Sequence, residues 1–266
     1  MKRVEKMLPP RLAGVVSRVR QKVVDTRFDR RARIAVPVHI YQMGKVGSSS
    51  LYRSLAKQYP GMVLRSHGLT PYHHNIYIRK VYNWSVDQKR PLKIISFIRE
   101  PIGRNVSAFF QNFERDTGVA YDDSDFSVDQ LKEIFLSNYN HDLPLEWFDK
   151  HIRPRFGIDV YAKPFPESGV CRYAAGQIEL LVIRLETDEQ TKVAAVRDFV
   201  GMDDFQLRNY NIGADKDYAP LYKQFRDTVK LPAEYVERMC SSKYFQHFYP
   251  PETIASVRAR WSDASE

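Results

Sequence analysis

A short segment with two glycines joins a predicted strand to a predicted helix and carries residues suited to hold an anion. The strand covers Val36 to Tyr41, and the segment reads QMGKVGSSS at residues 42–50. β-branched and aromatic residues predict the strand, and a run of serines is a strong helix N-cap signal. The free backbone N–H groups of a helix N-terminus attract phosphate or sulfate groups. The segment therefore predicts a site for a phosphate or sulfate ester.

Each residue type in this loop has a chemical use. Gly44 and Gly47 allow backbone angles and a close approach that a Cβ would prevent. Lys45 adds a mobile charge, and Ser48 and Ser49 add hydroxyl donors. The order differs from the Walker A pattern, because the lysine precedes the second glycine. An ordinary strand–helix turn with a serine cap remains open as the alternative.

A second constellation follows the third predicted strand, Leu92 to Ile98. Arg99 comes directly after this strand, and Ser107 follows eight residues later in a predicted helix. A guanidinium binds phosphate through two parallel hydrogen bonds, and a serine hydroxyl can donate to the same group. Ligands of open α/β sheets lie at the carboxyl ends of the strands, where both segments would then meet. The alternative is that Arg99 pairs with Glu100 or solvent and that Ser107 is a helix-surface residue.

Strands alternate with helices along the chain, which predicts an α/β fold with a central parallel sheet flanked by helices. The patterns predict a short second strand at 62–64, a helix within 71–88, and a hairpin of 170–173 with 178–185. A short strand is predicted at 157–161, and the C-terminal part is predicted to form two helices broken at 249–251. Segments 121–125 and 165–173 interrupt the alternation and are predicted to be acceptor-side loops.

Composition favours anionic partners. The chain has 266 residues and a formal net charge of +9, with 43% hydrophobic residues to build a core. No run approaches the roughly 20 apolar residues of a membrane span, basic residues interrupt every candidate signal-peptide core, and two cysteines imply no disulfide framework. We expect a cytoplasmic protein without nucleic-acid-binding signatures or a metal motif.

The first 35 residues are rich in arginine and lysine and carry an apolar stripe at helical spacing. Leu12, Val15, Val16, Val19 and Val23 form this stripe. A solvated helix, a helix at a membrane surface and a helix packed on the body all fit the pattern. We predict a peripheral basic helical extension at 1–35 and a single α/β domain at 36–266.

Together, the two constellations resemble the sulfotransferase family that uses 3′-phosphoadenosine 5′-phosphosulfate (PAPS). Lys45 to Ser49 matches the family's Lys-x-Gly-Thr-Thr-like loop, with serines for threonines and Gly44 in place of a common proline. Arg99 and Ser107 match the spacing of its second motif. The string QMGKVGSSS is similar to the bacterial branch named after capsular polysaccharide synthesis proteins, and further similarity covers residues 36 to 261.

The resemblance implies a P-loop-like three-layer sandwich and metal-free sulfuryl transfer from PAPS to a hydroxyl, with 3′-phosphoadenosine 5′-phosphate (PAP) as product. Lys45 would neutralise charge on the bridging and leaving oxygens, and His67 would be the base, unless a carboxylate takes that role. Arg99 and Ser107 would hold the 3′-phosphate, and Lys216 would close over the nucleotide. The implied donor-binding residues are Gly44, Lys45, Val46, Gly47, Ser48, Ser49, Arg99, Ser107 and Lys216.

The acceptor is not identified by the sequence, beyond a glycan or a small metabolite. Two other functions are weighed against sulfuryl transfer. One is a nucleotide-dependent kinase that uses the same loop, although the Walker A order and a carboxylate pair for Mg²⁺ are missing. The other is a non-catalytic protein that binds an anion or polysaccharide.

Overall fold

The computed structural model of the protein describes residues 10–119, 126–208 and 219–262. Lys216 and the predicted acceptor-side loop at 121–125 lie outside these ranges.

The core of the molecule is a five-stranded sheet with the order β2-β1-β3-β5-β4. Strands β2, β1, β3 and β5 are parallel, and β4 is antiparallel to β5. The predicted α/β class with a central sheet is thus confirmed, with an antiparallel edge strand added by the predicted hairpin. The strands are β1 (Val38–Tyr41), β2 (Val63–Ser66), β3 (Leu92–Ile98), β4 (Val170–Ala175) and β5 (Ile178–Arg184).

Helices connect and flank the strands. Two of them continue into a π-helical turn, at Asn83–Asp87 and at Phe148–Ile152. Before β4 the helices are α1 (Pro10–Ile34), α2 (Ser49–Gln58), α3 (Ile76–Tyr82), α4 (Pro101–Gln111), α5 (Phe113–Thr117), α6 (Val128–Asn138), α7 (Leu143–Trp147) and α8 (Arg153–Phe156). After β5 they are α9 (Glu189–Val200), α10 (Ala219–Thr228), α11 (Ala233–Cys240), α12 (Lys243–Phe248) and α13 (Pro251–Trp261).

Strand β3 has the boundaries that the sequence predicts, because it is a central strand. It pairs with β1 on one side and β5 on the other, and only Lys93 of its residues is partly exposed. A parallel strand covered on both faces is a nearly continuous apolar run. Helix α4 begins at the predicted proline, where Glu100 caps it by accepting a hydrogen bond from the Gly103 N–H (2.7 Å).

The strand order creates a crevice beside β1. The chain passes from β1 to β2 on one side and then crosses to β3 on the other. Connections that leave in opposite directions open a space at the carboxyl ends of the two neighbouring strands. The loop 42–48 and the Arg99 turn both begin at these ends, as predicted.

The predicted strand at 157–161 is wrong. Ile158 and Val160 are buried with Asp159 between them, which imitates the alternation of a strand. However, Gly157 ends α8 in a left-handed conformation, and the Asp159 carboxylate accepts a hydrogen bond from the Tyr161 N–H. The segment is therefore a turn that buries two apolar side chains.

Two helix predictions also need correction. The C-terminal part forms four helices, because 229–232 and 241–242 interrupt the first of the two predicted ones, whereas the second is the continuous helix α13. The helix predicted within 71–88 begins only at Ile76, where the Asn75 side chain accepts a hydrogen bond from the Tyr77 N–H. His73 and His74 consequently lie in the preceding turn.

Helix α1 packs on the body through a face different from the predicted apolar stripe. Val24 and Phe28 are buried, and the Phe28 ring meets Trp84 edge-on at 5.4 Å between centroids. Asp25 and Asp29 both pair with Lys80 of α3, at 3.2 and 3.1 Å. Among the described helices, α1 included, none combines the length and apolar character needed to cross a membrane.

His39 of β1 is a fully buried histidine. Its Nε2 lies 2.9 Å from the Ser66 hydroxyl, which in turn donates to the Gly68 carbonyl oxygen. The Nε2 therefore carries the hydrogen, and the Nδ1 is buried without a hydrogen-bond partner among the described residues. Burial is the main reason that the pKa of His39 falls to about 3, with a smaller contribution from His73.

We predict that His39 makes the fold sensitive to acid. The unfolded chain binds this proton near pH 6.5, whereas the folded protein resists it down to about pH 3. The contribution of neutral His39 to the free energy of unfolding is complete above pH 6.5. It declines by up to about 1.4 kcal/mol per pH unit as the pH falls towards 3. Urea unfolding between pH 4 and 7.5 should give a flatter pH dependence for His39→Gln, which keeps an N–H donor for Ser66.

His74→Gln is the matched control, because His74 is exposed in the turn before α3. It should leave the pH dependence of the wild type unchanged. An equally steep decline in His39→Gln would show that other groups, such as His151 with its pKa lowered to about 4 by burial, dominate the acid response.

Candidate anion-binding site

The loop after β1 adopts a backbone that few residues tolerate. Lys45 and Gly47 both have positive φ angles, of 68° and 79°. For a lysine this left-handed conformation is unfavourable, and such strain concentrates at functional sites. The loop then enters α2 at Ser49, so that the free N–H groups of this helix face the crevice end of the sheet.

Gln42 ties the loop to the neighbouring strand. Its side-chain oxygen accepts a hydrogen bond from the Phe97 N–H of β3 (3.1 Å), and its side-chain amide donates to the Ser48 hydroxyl. Ser48 is the N-cap of α2 by position, but its hydroxyl makes no hydrogen bond to the helix backbone. The predicted capping role of this serine is thus replaced by the contact with Gln42.

A side chain at position 47 would meet a neighbouring side chain in addition to the strain of the positive φ angle. A Cβ at this position would lie 2.5 Å from Cδ1 of Leu185, the residue that follows β5. The loop therefore packs closely against the residue that follows strand β5. Val46, by contrast, is fully buried in the core, so that only its backbone is available to a ligand.

Two arginines hold the carbonyl oxygens of the loop. Arg99 Nη1 donates to the Lys45 carbonyl (3.3 Å), and Arg104 Nε donates to the Gly44 carbonyl (3.0 Å). Arg99 does not form an ion pair with Glu100 in the described structure, and Glu100 caps α4, with a pKa raised mainly by burial. The alternative that Arg99 pairs with Glu100 is thus wrong, because Arg99 contacts the loop.

Arg104 was not singled out from the sequence. Only 3% of it is exposed, and its Nη1 donates to the Asn105 side-chain oxygen and the Tyr139 hydroxyl. No carboxylate among the described residues pairs with it, and burial lowers the pKa of its guanidinium. Its position on α4, five residues after Arg99, was the available signal.

A further cation lies at the other side of the loop. Arg65 of β2 donates to the Ser49 hydroxyl (2.9 Å), and its guanidinium stacks over the Tyr52 ring at 5.0 Å. Ser48 and Ser49 each accept a hydrogen bond from a protein N–H, which leaves both hydroxyl protons available to an anion. Arg65 is a second residue whose contribution sequence analysis did not identify.

His67 has the tautomer that a general base needs. Its Nδ1 lies 2.8 Å from the Gln42 carbonyl oxygen, which can only accept, so Nδ1 carries the hydrogen of the neutral ring. Nε2 then has a free lone pair. It lies beside the loop, 4.0 Å from the point where a Cβ would stand on Gly44. His73 and His74 instead stack on each other, with 4.2 Å between centroids.

His67 and the loop border one cleft of about 460 Å³. Gly44, Lys45, His67 and Arg104 line it at the loop end. Away from the loop, its wall is rich in amide side chains. These side chains are Gln111, Asn112, Asn138 and Asn140.

A smaller cavity of about 180 Å³ lies on the other side of the loop, beside Gly47. It is lined mainly by apolar side chains of α2, α9 and the segment after α9. Lys192 reaches it from α9 and donates to the Leu185 carbonyl oxygen, and burial lowers the pKa of this lysine.

Ser107 is less closely connected to the site than its spacing suggests. It is buried in the second turn of α4, and no hydrogen bond joins it to Arg99 in the part of the chain that the structure describes. Lys216 falls outside the described residues. Within the described ranges, no group of three or more His, Cys, Asp or Glu residues could hold a metal ion.

A comparison with models of protein families gives a match to part of the chain. Residues 121–250 are similar to the family model NKWYS, described as "Putative capsular polysaccharide synthesis protein". This stretch contains the β4–β5 hairpin and α9 but not the loop 42–48 or the Arg99 turn. Neither the curated proteins nor the solved structures contain a significant match to this chain. The chain is therefore similar, over residues 121–250, to a family connected by its name with capsular polysaccharide synthesis.

Proposed function

We propose that the protein is a sulfotransferase that moves a sulfuryl group from PAPS to a hydroxyl of a glycan or a smaller metabolite. The observation that carries the proposal is the left-handed loop at Lys45. Two guanidinium groups hold its carbonyls, and a histidine with a free Nε2 borders the same cleft. Anion binding and proton removal are thus available within one site.

Binding of PAPS would rely on hydrogen-bond donors and positive charge in and around the loop. The N-terminus of α2 and the hydroxyls of Ser48 and Ser49 would receive the 5′-phosphate. Arg99 would add a 3′-phosphate contact to its present bond with the loop carbonyl. The apolar cavity beside Gly47 supports a nucleotide, because a base attached to a phosphate in the loop has an apolar space next to it.

In the proposed transfer, the acceptor oxygen forms a bond to sulfur while the bond from sulfur to the bridging oxygen breaks. His67 Nε2 takes the proton of the acceptor hydroxyl, and PAP leaves with the bridging oxygen. Lys45 neutralises the charge that develops on this leaving oxygen. Positioning and charge stabilisation account for most of the acceleration in such in-line displacements.

The cleft supports a carbohydrate acceptor. Amide side chains donate and accept hydrogen bonds, which suits the several hydroxyls of a sugar better than an apolar acceptor. Their positions along the wall would bring one hydroxyl to His67 and leave others for recognition. The similarity of residues 121–250 to a capsular polysaccharide synthesis family points in the same direction.

We predict that PAP raises the melting temperature far more than ATP with Mg²⁺ or AMP, and that Arg99 is the reason. Arg99→Gln removes the charge but keeps an N–H donor for the Lys45 carbonyl. A charged contact is worth roughly 1.5–3 kcal/mol, so this variant should bind PAP about 10- to 100-fold more weakly. The affinity for AMP, which lacks a 3′-phosphate, should change little. Isothermal titration measures both ligands.

A larger thermal shift with ATP and Mg²⁺ than with PAP would replace the sulfotransferase with the kinase. Equal losses for PAP and AMP in Arg99→Gln would instead remove Arg99 from 3′-phosphate recognition.

We predict that His67→Asn lowers kcat by about 10²- to 10⁴-fold, the range for a lost general base. The asparagine amide can still donate to the Gln42 carbonyl, so the loop should keep its shape and PAP its affinity. Transfer from radiolabelled PAPS to a glycan fraction of the source cells gives kcat. His74→Asn, in a turn away from the cleft, is the matched control, and near-normal turnover in His67→Asn would make a carboxylate the candidate base.

We predict that Lys45→Gly separates catalysis from folding. Glycine accepts a φ of 68° without strain, so the melting temperature should not fall. Loss of the ammonium should lower kcat by about 10²- to 10³-fold, by analogy with removing one preorganised donor. The affinity for PAP should fall less, because the helix N–H groups, Ser48, Ser49 and Arg99 remain to bind it. Turnover like that of the wild type would exclude Lys45 from the mechanism.

A further inference from the structure

Helix α1 exposes a row of large apolar side chains that the fold leaves uncovered. Between 39% and 60% of each is exposed, unlike Val24 and Phe28, which attach the helix to the body. The row recurs at three- and four-residue steps, so it forms one stripe on the helix. Its members are Leu12, Val15, Val16, Val19 and Val23.

The stripe also forms one side of an open groove. Helix α1 and the start of α3 enclose about 740 Å³, with Val15, Val19 and Val23 on one wall and Ile76 and Tyr77 on the other. Isolated exposed apolar residues are common, but a contiguous exposed patch marks an interaction surface. The groove gives this patch depth in addition to area.

The charges of α1 are sorted between its two sides. The two acidic side chains, Asp25 and Asp29, pair with Lys80 on the side facing the body. The exposed cations have no ion pair within the described residues, so the outward side is strongly positive. These cations are Arg18, Lys22, Arg27, Arg30 and Arg33.

We infer that α1 docks the protein on a membrane surface rich in anionic lipids. The apolar stripe enters the boundary between headgroups and acyl chains, and the unpaired cations contact lipid phosphates. This combination of an apolar stripe with basic flanks is the pattern of helices that lie in the plane of a membrane. Charge complementarity selects an anionic lipid surface over a neutral one. The inference is independent of the proposed sulfuryl transfer.

Co-sedimentation with vesicles tests the inference in the full chain. We expect binding to vesicles of phosphatidylcholine with 30% phosphatidylglycerol, and little binding to pure phosphatidylcholine. Each cation near an anionic surface contributes roughly a factor of five in affinity, so Arg18→Gln/Lys22→Gln should bind about 25-fold more weakly. Val19→Asp/Val23→Asp should abolish binding, and both variants alter exposed positions, so the melting temperature should stay unchanged.

Lys150→Gln/Lys223→Gln is the matched control, because it removes the same charge from exposed helix positions far along the chain. It should bind vesicles nearly as the wild type does. Equal weakening by both charge pairs, or equal binding to neutral vesicles, would overturn the inference. So would a dimer in sedimentation velocity that Val19→Asp/Val23→Asp dissociates without any loss of vesicle binding, since the stripe would then join two copies.

Discussion

The structure of the candidate site depends on the buried guanidinium of Arg104. A buried cation is costly unless its N–H groups are hydrogen-bonded, and here carbonyl, amide and hydroxyl oxygens meet that requirement. The same bonds join α4 to the Gly44 carbonyl and to Tyr139, at the end of α6. Because no carboxylate of the described residues neutralises the charge, its field reaches the loop. Arg104 thus shapes the loop together with Arg99 and Gln42, and adds to its positive charge.

The central strand β3 and the start of α4 could be predicted because each sequence fits only one local structure. A strand with neighbours on both sides, such as β3, must be apolar throughout, and Pro101 marks the start of α4. The wrong strand at 157–161 shows the limit of such patterns. Alternation reports only which side chains are buried, and a strand also needs a partner whose position depends on distant parts of the chain.

The site was predictable in its residue types but not in its contacts. Glycines, a lysine and serines after a strand indicate an anion loop from local chemistry alone. The roles of Arg104 and Arg65 depend on which loop atoms their side chains reach, and the tautomer of His67 depends on the Gln42 carbonyl. These are long-range facts, since 60 positions separate Arg104 from Gly44. The sequence motif places the cations near the loop without saying which atoms they hold.

The contact between Gly47 and Leu185 has a consequence for how relatives of this protein can diverge. The space that a side chain at position 47 would need is already filled by Leu185. A larger residue at 47 then has to adopt a φ of 79° and also needs a Leu185 side chain that moves aside or a smaller residue at 185. The two positions, far apart in the chain, should therefore change together during evolution, and the shape of the loop is inherited jointly with the end of β5.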